Sequence, residues 1–331
     1  MNITEKEKNI YGNDIELVSR NDDCTVYKIS NETGNIVMTS YQVFEGIHII
    51  YNDVHMLKCS TNRENCDNII EINHCREGRI ECQFGDEFCY LSEGDMAIAI
   101  KDAIEQDSYF PISHYHGISI MIDIKCAPKC LSCILDDVNV YPADMINKFC
   151  NGRKCFIMRS KPFLEHIFSE LYSVPENIKK GYFKVKILEL LLFLSSMDIE
   201  TKVSDKFFYS KAQVSLAKNI CRYLTEHMES HITIKELSDI FYVSQTQIKT
   251  SFKGVYGVSV YSYIRAQKMQ AAALLLKKTD YNIIDIAGRC GYDNGSKFAN
   301  AFKNVIGMSP KKYRNECAHL ELNSVRTECK S

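Results

Sequence analysis

Short apolar runs fill the first half of this chain, and helical spacings fill the second. Between about residues 35 and 125 the apolar positions cluster at 36–42, 47–51, 69–75, 80–84, 88–91, 96–100 and 118–124. Turn residues separate them at Gly46, Glu77-Gly78, Gly85-Asp86 and Glu93-Gly94-Asp95. Short strands with regular turns predict a small sandwich or barrel. The first 30 or so residues are polar and read as a loose arm or an edge strand. From 142 to 196 the period lengthens, and helices are expected at 143–150, 161–172 and 182–196. The last of these carries Phe183, Ile187, Leu190, Leu191 and Leu194, with Leu188 and Leu192 on a neighbouring face. An apolar circumference that wide needs two partners, the barrel on one side and a second copy of the chain on the other. Residues 198–210 are polar and aperiodic, as a linker would be.

Two similar helical units follow. Thr233-Ile-Lys-Glu236 has the form of a capping box, which starts a helix at Thr233. Ile234, Leu237, Ile240 and Phe241 keep helical spacing behind it. Ser244 caps a second helix, whose inward residues are Ile248 and Phe252 and whose outward residues are Gln245, Thr246, Lys249, Thr250 and Lys253. A continuous helix at 260–276, roughly 26 Å long at 1.5 Å per residue, leads to the second unit. There Ile283, Ile286 and Ala287 form the first apolar face, residues 290–294 the turn, and 295–305 the final helix, with Phe298 and Phe302 inward. Its exposed residues are Ser296, Lys297, Asn300 and Lys303. Short polar side chains and lysines suit base edges and phosphates in a major groove.

The run IIDIAGRCGYDNGSKFANAFKNVIGMSPKKYR, residues 283–314, resembles the signature of AraC/XylS-type transcription regulators. The likeness lies in the Ile-Ala of the support helix, the Gly-Tyr turn, the Phe298-xxx-Phe302-Lys303 helix and the Gly-Met-Ser-Pro-xx-Tyr-Arg ending. Ser238 stands where the family usually has alanine, and Gly295-Ser296 where it has larger side chains. The resemblance implies base-edge contacts at Thr246, Lys249, Thr250, Ser296, Lys297 and Asn300. The turn Leu91-Ser-Glu-Gly94-Asp95 in turn resembles cupin-type barrels, the sensor domain of many such regulators. The expected architecture is therefore α+β: a cupin-like effector-binding barrel (1–140), a helical dimerisation region (141–200), a linker (201–212), an all-α double helix-turn-helix domain (213–316) and a tail (317–331).

Charge sharpens this division. The net charge of −2 hides 16 Lys and Arg against 8 Asp and Glu in residues 210–316, and 22 against 32 in residues 1–209. A basic end on an acidic body is what phosphate binding requires. The N-terminus lacks a basic-then-apolar signal, and no apolar run reaches the roughly 18 residues needed to span a bilayer. A cytoplasmic protein is expected, whose 15 cysteines stay thiols.

Candidate chemistry changes little. His114-Tyr-His116 puts two imidazoles on one strand face, and His48, His55 and His74 lie on or beside other strands, but no acidic residue follows His116 before Asp123. Pocket or surface histidines are expected rather than a metal site. Cys126-xxx-Cys130-xx-Cys133 has a radical S-adenosylmethionine spacing without the alternating strand–helix context those enzymes need. The Pro-Cys-His-Arg acceptor motif of Ada-type repair proteins is absent; the nearest run is His74-Cys75-Arg76. Nucleophile elbow, Walker and dinucleotide motifs are missing, so a non-enzyme without a cofactor is expected. The reading is a homodimeric transcription activator on promoter DNA, with RNA polymerase as a further partner. Glu71, Asn73, His74, Arg76, His114 and His116 are expected in the effector pocket. The alternative is an Ada-like repair protein, or a zinc or iron–sulfur sensor using the clustered cysteines.

Overall fold

The computed structural model describes residues 2–60, 68–101, 107–131, 140–150, 155–159, 161–198 and 208–316. The chain divides into two compact units, Met1–Lys211 and Ala212–Ser331. Of the expected segments, the tail at 317–331, most of the linker and Cys133 lie outside the described residues.

The first unit opens with α1 (Glu5–Tyr11), capped by a Thr4–Glu7 box, then β1 (Glu16–Arg20) and β2 (Thr25–Asn31). The first 30 residues are thus not a loose arm: Ile10, Tyr11, Ile15, Tyr27 and Ile29 are buried. Few and irregularly spaced among polar residues, these anchors give no periodic signal. β3 (Gly34–Phe44), β4 (Ile47–His55), β6 (Ile69–Gly78), β7 (Ile80–Phe84), β8 (Glu87–Leu91), β9 (Met96–Ile100) and β11 (Tyr115–Asp123) are the seven expected strands, several of them longer. Short strands β5 (Lys58–Ser60), β10 (Asp107–Tyr109), β12 (Phe156–Met158) and β13 (Tyr209–Ser210) complete two antiparallel sheets. One runs β1-β2-β3-β4-β11-β6-β9-β12, the other β13-β8-β7-β10-β5.

The larger sheet is apolar on both faces, which is why β4 and β11 read as near-continuous apolar runs. One face, with Ile50, Val54, Cys75, Ala97, Ala99 and Met121, packs on the smaller sheet. The other, with Ile47, Ile49, Ile70, Ile72, Ile98, Ile118 and Ile120, packs on α2 (Pro162–Leu171), α3 (Lys179–Ser196) and a π-helical turn (Ile146–Cys150). Phe183, Ile187, Leu190, Leu191 and Leu194 of α3, expected at a dimer interface, are all buried in this helix–sheet core. Their place is corrected to the interior. The exposed apolar residues of α3 are Val185, Leu192 and Phe193.

The second unit is all α: α4 (Lys211–Glu226), α5 (Ile234–Phe241), α6 (Gln245–Tyr256), α7 (Val260–Lys278), α8 (Ile283–Arg289) and α9 (Gly295–Ile306). α4 lies almost entirely inside the expected 213–316 domain, ahead of its two helix-turn-helix units, with Val214, Ala217, Ile220 and Leu224 buried at helical spacing.

Candidate nucleic-acid interface and effector cavity

Each helix-turn-helix is locked from inside by aromatic packing and from its ends by caps. At α5 both halves of the capping box form: Thr233 accepts from the Glu236 amide, and the Glu236 carboxylate takes the Thr233 amide at 2.7 Å and its hydroxyl at 2.9 Å. These bonds, the backbone one first, hold the Glu236 carboxyl below the usual glutamate range. Ser238 donates to the Val243 carbonyl at 2.5 Å, a turn-fastening bond alanine does not make, so this departure from the family pattern is structural. Ile240, expected inward, is 42% exposed. The first turn passes through Tyr242 at φ 54°, the second through Gly291 at φ 75°. Ser244 caps α6 and Asn294 caps α9, the latter accepting from Ser296 and Lys297 amides at 2.9 and 3.0 Å.

α7 joins the units by changing its buried face along its length. Tyr263 packs on Phe252 and Tyr256 of α6, whereas Met269, Ala272, Ala273 and Leu276 join Ile286, Ala287, Phe298 and Phe302. The ending of the signature run belongs to the same core, with the Tyr313 ring 5.6 Å from Phe302 and Arg314 donating to the Tyr281 carbonyl at 2.6 Å.

With the apolar faces committed, all nine expected DNA-contact residues are exposed: Gln245, Thr246, Lys249, Thr250 and Lys253 on α6, and Ser296, Lys297, Asn300 and Lys303 on α9. Thr250 donates its hydroxyl proton to the Thr246 carbonyl at 2.9 Å, leaving its oxygen as an acceptor for DNA. Lys253 and Lys303 occupy the last turns of the two helices, where cations also complement the helix dipole.

In the first unit the two sheets enclose a cavity of about 130 Å³. Its walls are mainly apolar, with Ile36, Met38, Phe84 and Phe110 among them, and its polar groups are paired across strands. Asn52 donates to Ser119 at 2.9 Å, Tyr115 to Asn73 at 2.5 Å, and Lys101 to Glu71 at 3.2 Å, the last pair 6% and 14% exposed. Burial pushes the Tyr11 phenol at this wall up to about 12.

Of the six residues expected at the pocket, Glu71 and Asn73 line the cavity, and four do not. His74 and Arg76 are on the opposite face of β6, where His74 stacks on Phe168 at 4.0 Å and Arg76 lies 4.1 Å over Tyr172. His114 and His116 are on that same outer side, among Asp53, His55 and Glu77. In an extended strand residues 71 and 73 share one side and 74 and 76 the other, so one pocket does not take all four. Lys101, Asn52 and Ser119 were missed, since only strand register brings them together. Cys126 accepts from Lys6 at 3.4 Å, and among the described residues no cysteine joins a group of three metal-ligating side chains. No described helix is long and apolar enough to cross a membrane.

Residues 237–316 match the family model of a helix-turn-helix domain. The chain is 28% identical over 95 residues to the probable transcriptional regulator LumQ of Photobacterium leiognathi, covering 29% of this chain and 38% of that protein. It is 34% identical over 97 residues to the F1 operon positive regulatory protein of Yersinia pestis, covering 29% and 32%. Among solved structures, the C-terminal domain of AraT, a response regulator from Geobacillus stearothermophilus, aligns at 29% identity and a TM-score of 0.30, covering 30% of this chain and 84% of that one. The chain spans no more than 38% of the length of these curated relatives. Within residues 237–316, the paired helix-turn-helix units of the C-terminal unit thus form a helix-turn-helix domain similar to those of known transcription regulators.

Proposed function

We propose that the whole chain is a one-component regulator without enzymatic activity, acting in the cytoplasm, which binds promoter DNA through α6 and α9 and a small effector in the cavity of its β unit. The observation that carries this reading is the pair of helix-turn-helix units whose second helices expose polar and lysine side chains, on a region with an excess of 8 positive charges. Two recognition helices tied to one 19-residue helix, about 28 Å long, face successive major grooves about 34 Å apart. One chain thus covers two adjacent grooves, with the DNA bent toward it. α9, which begins with Gly295-Ser296, offers the bases shorter side chains than α6 and docks less fully. Footprinting on a genomic fragment library tests this: the expected result is two protected grooves one helical turn apart, with affinity falling steeply in salt. Protection of a single groove overturns it.

Homodimerisation and contact with RNA polymerase complete the reading. The dimer surface is moved to the exposed side of α3, because the residues first expected there are interior. Val185 and Leu192 stand 62% and 41% exposed and seven residues apart, two helical turns on one face.

A further inference from the structure

On the outer side of the larger sheet, β4 and β11 run beyond the isoleucines that the helices cover, and there the face turns from apolar to ligating. In β4 the residues after Tyr51 on this face are Asp53 and His55; in β11 those before Ile118 are His116 and, just ahead of the strand, His114. The register sets His116 opposite Asp53 on one side and opposite Glu77 on the other, a bulge in β6 bringing Glu77 into that position. One potential ligand atom from each of His55, His114 and His116 lies within 4.8 Å of the other two. The ring centroids are 5.3, 5.3 and 4.5 Å apart. Asp53 Oδ1 is 2.8 Å from His116 Nε2 and 2.9 Å from His55 Nε2, and Glu77 Oε1 is 3.2 Å from His114 Nε2.

We propose that His55, His114 and His116 bind one divalent transition-metal ion of the zinc class, with Asp53 closing a tetrahedron and Glu77 orienting His114. Imidazole suits zinc, nickel and copper, and three histidines with one carboxylate are a borderline-soft, dianion-free set matched to them. Nitrogens bound to zinc at 2.0–2.1 Å stand about 3.3 Å apart in a tetrahedron. The ligand atoms, at most 4.8 Å apart, must close by no more than about 1.5 Å to reach that spacing, and all three side chains have room, being 52%, 31% and 33% exposed. His74, buried at 5% against Phe168, shows what a core histidine of the same unit looks like.

The backbone under the cluster is held from both sides. A Cβ on Gly34 would stand 1.9 Å from the His55 carbonyl oxygen, and one on Gly78 2.2 Å from that of His114. Both glycines have positive φ, and so does Ser113 at 52°, immediately before His114. A non-glycine residue held in that region marks a loop fixed by its surroundings. Two strands and a loop thus present three imidazoles in a preset arrangement, on the opposite face from the effector cavity.

Cobalt(II) titration of the EDTA-stripped full-length protein is the test, because cobalt reports its ligands. The expected result is one equivalent bound with tetrahedral visible bands and without sulfur-to-cobalt charge transfer, which excludes the 15 cysteines as ligands. His116→Gln and His55→Ala should abolish that spectrum, and Asp53→Asn should weaken binding about 10- to 100-fold. His166→Ala, on α2, should change nothing. Zinc should also raise the melting temperature of the wild type in a concentration-dependent way, and not that of either histidine variant. Uptake equal in wild type and His116→Gln, a thiolate charge-transfer band, or no saturable uptake each overturns the site. A His116→Gln protein that fails to melt cooperatively passes the decision to His55→Ala, whose side chain is half exposed.

Discussion

At the residue scale, position on a recognition helix separates specificity from affinity. Lys249 lies in the middle of α6, from where, on the proposed docking, its ammonium would reach guanine O6 and N7, and a good base contact discriminates by about 1–3 kcal/mol. Lys303 lies in the last turn of α9, where the same docking would bring a phosphate. Lys249→Ala should therefore flatten the preference at one operator position, whereas Lys303→Ala should weaken all sequences alike and lower the salt slope by about one unit. A selection experiment on random operators with salt titration decides it; unchanged preference in Lys249→Ala removes that residue from base reading. His74 makes a different kind of prediction. Burial lowers its pKa from 6.5 to about 4, and neither ring nitrogen has a hydrogen-bond partner among the described residues. The unfolded chain binds that proton below pH 6.5 and the folded chain does not, so stability falls as pH drops from 6.5 toward 4, by up to about 3 kcal/mol. His74→Leu should keep the fold at pH 7 and flatten the acid limb of a urea-melt series over that window. A limb of unchanged slope refutes the assignment.

At the scale of elements, α3 shows why a helix that is apolar all round says little about which side is interior. Leu191 and Leu192 are neighbours in sequence, yet Leu191 is fully buried on the sheet and Leu192 is 41% exposed. Leu191→Glu places an unpaired carboxylate in the core and should unfold the first unit, a loss of several kcal/mol. Leu192→Glu should leave the melting temperature near that of the wild type and convert a dimer to a monomer. Light scattering after size exclusion checks this, and a Leu192→Glu protein that stays dimeric removes α3 from the interface. The long helix α7 shows the opposite case. Its two ends serve two cores, so its apolar residues are spread around the axis, yet the expected continuous helix at 260–276 is within two residues of the observed α7, capped at its start by Ser259.

At the scale of the molecule, the cavity is the site proposed for the effector. Its walls already pair Lys101 with Glu71, so an effector with a polar end would have to exchange that pairing for its own, with its carbon frame against the apolar walls. A metabolite screened against the full chain should raise the melting temperature, by about 2.7 kcal/mol of stabilisation at 100 times its dissociation constant. Filling the cavity with Ala99→Leu should remove that shift, and a hit that still stabilises the filled variant binds elsewhere. Zinc at the outer histidines leaves this response unaltered in kind, since the two sites lie on opposite faces of β4 and β11.

The sequence by itself determined helices α5 to α9 of the second unit, though not α4 and not the side on which Ile240 lies. Helices α5 to α9, their caps at Thr233 and Ser244 and their outward faces follow from local rules: helical period, side-chain-to-backbone caps and turn residues act within a few positions of one another. It also determined seven strands of the β unit, from period and turn signals. Only the tertiary structure decided that Glu71 and Asn73 face a cavity while His74 and Arg76 face α2, that the leucines of α3 are interior, and that His55 meets His114 and His116. Those outcomes depend on strand register and on which side of a sheet apolar on both faces is covered by helices. Both are set by residues dozens of positions apart, where hydrophobic burial chooses among pairings that the local pattern leaves equal.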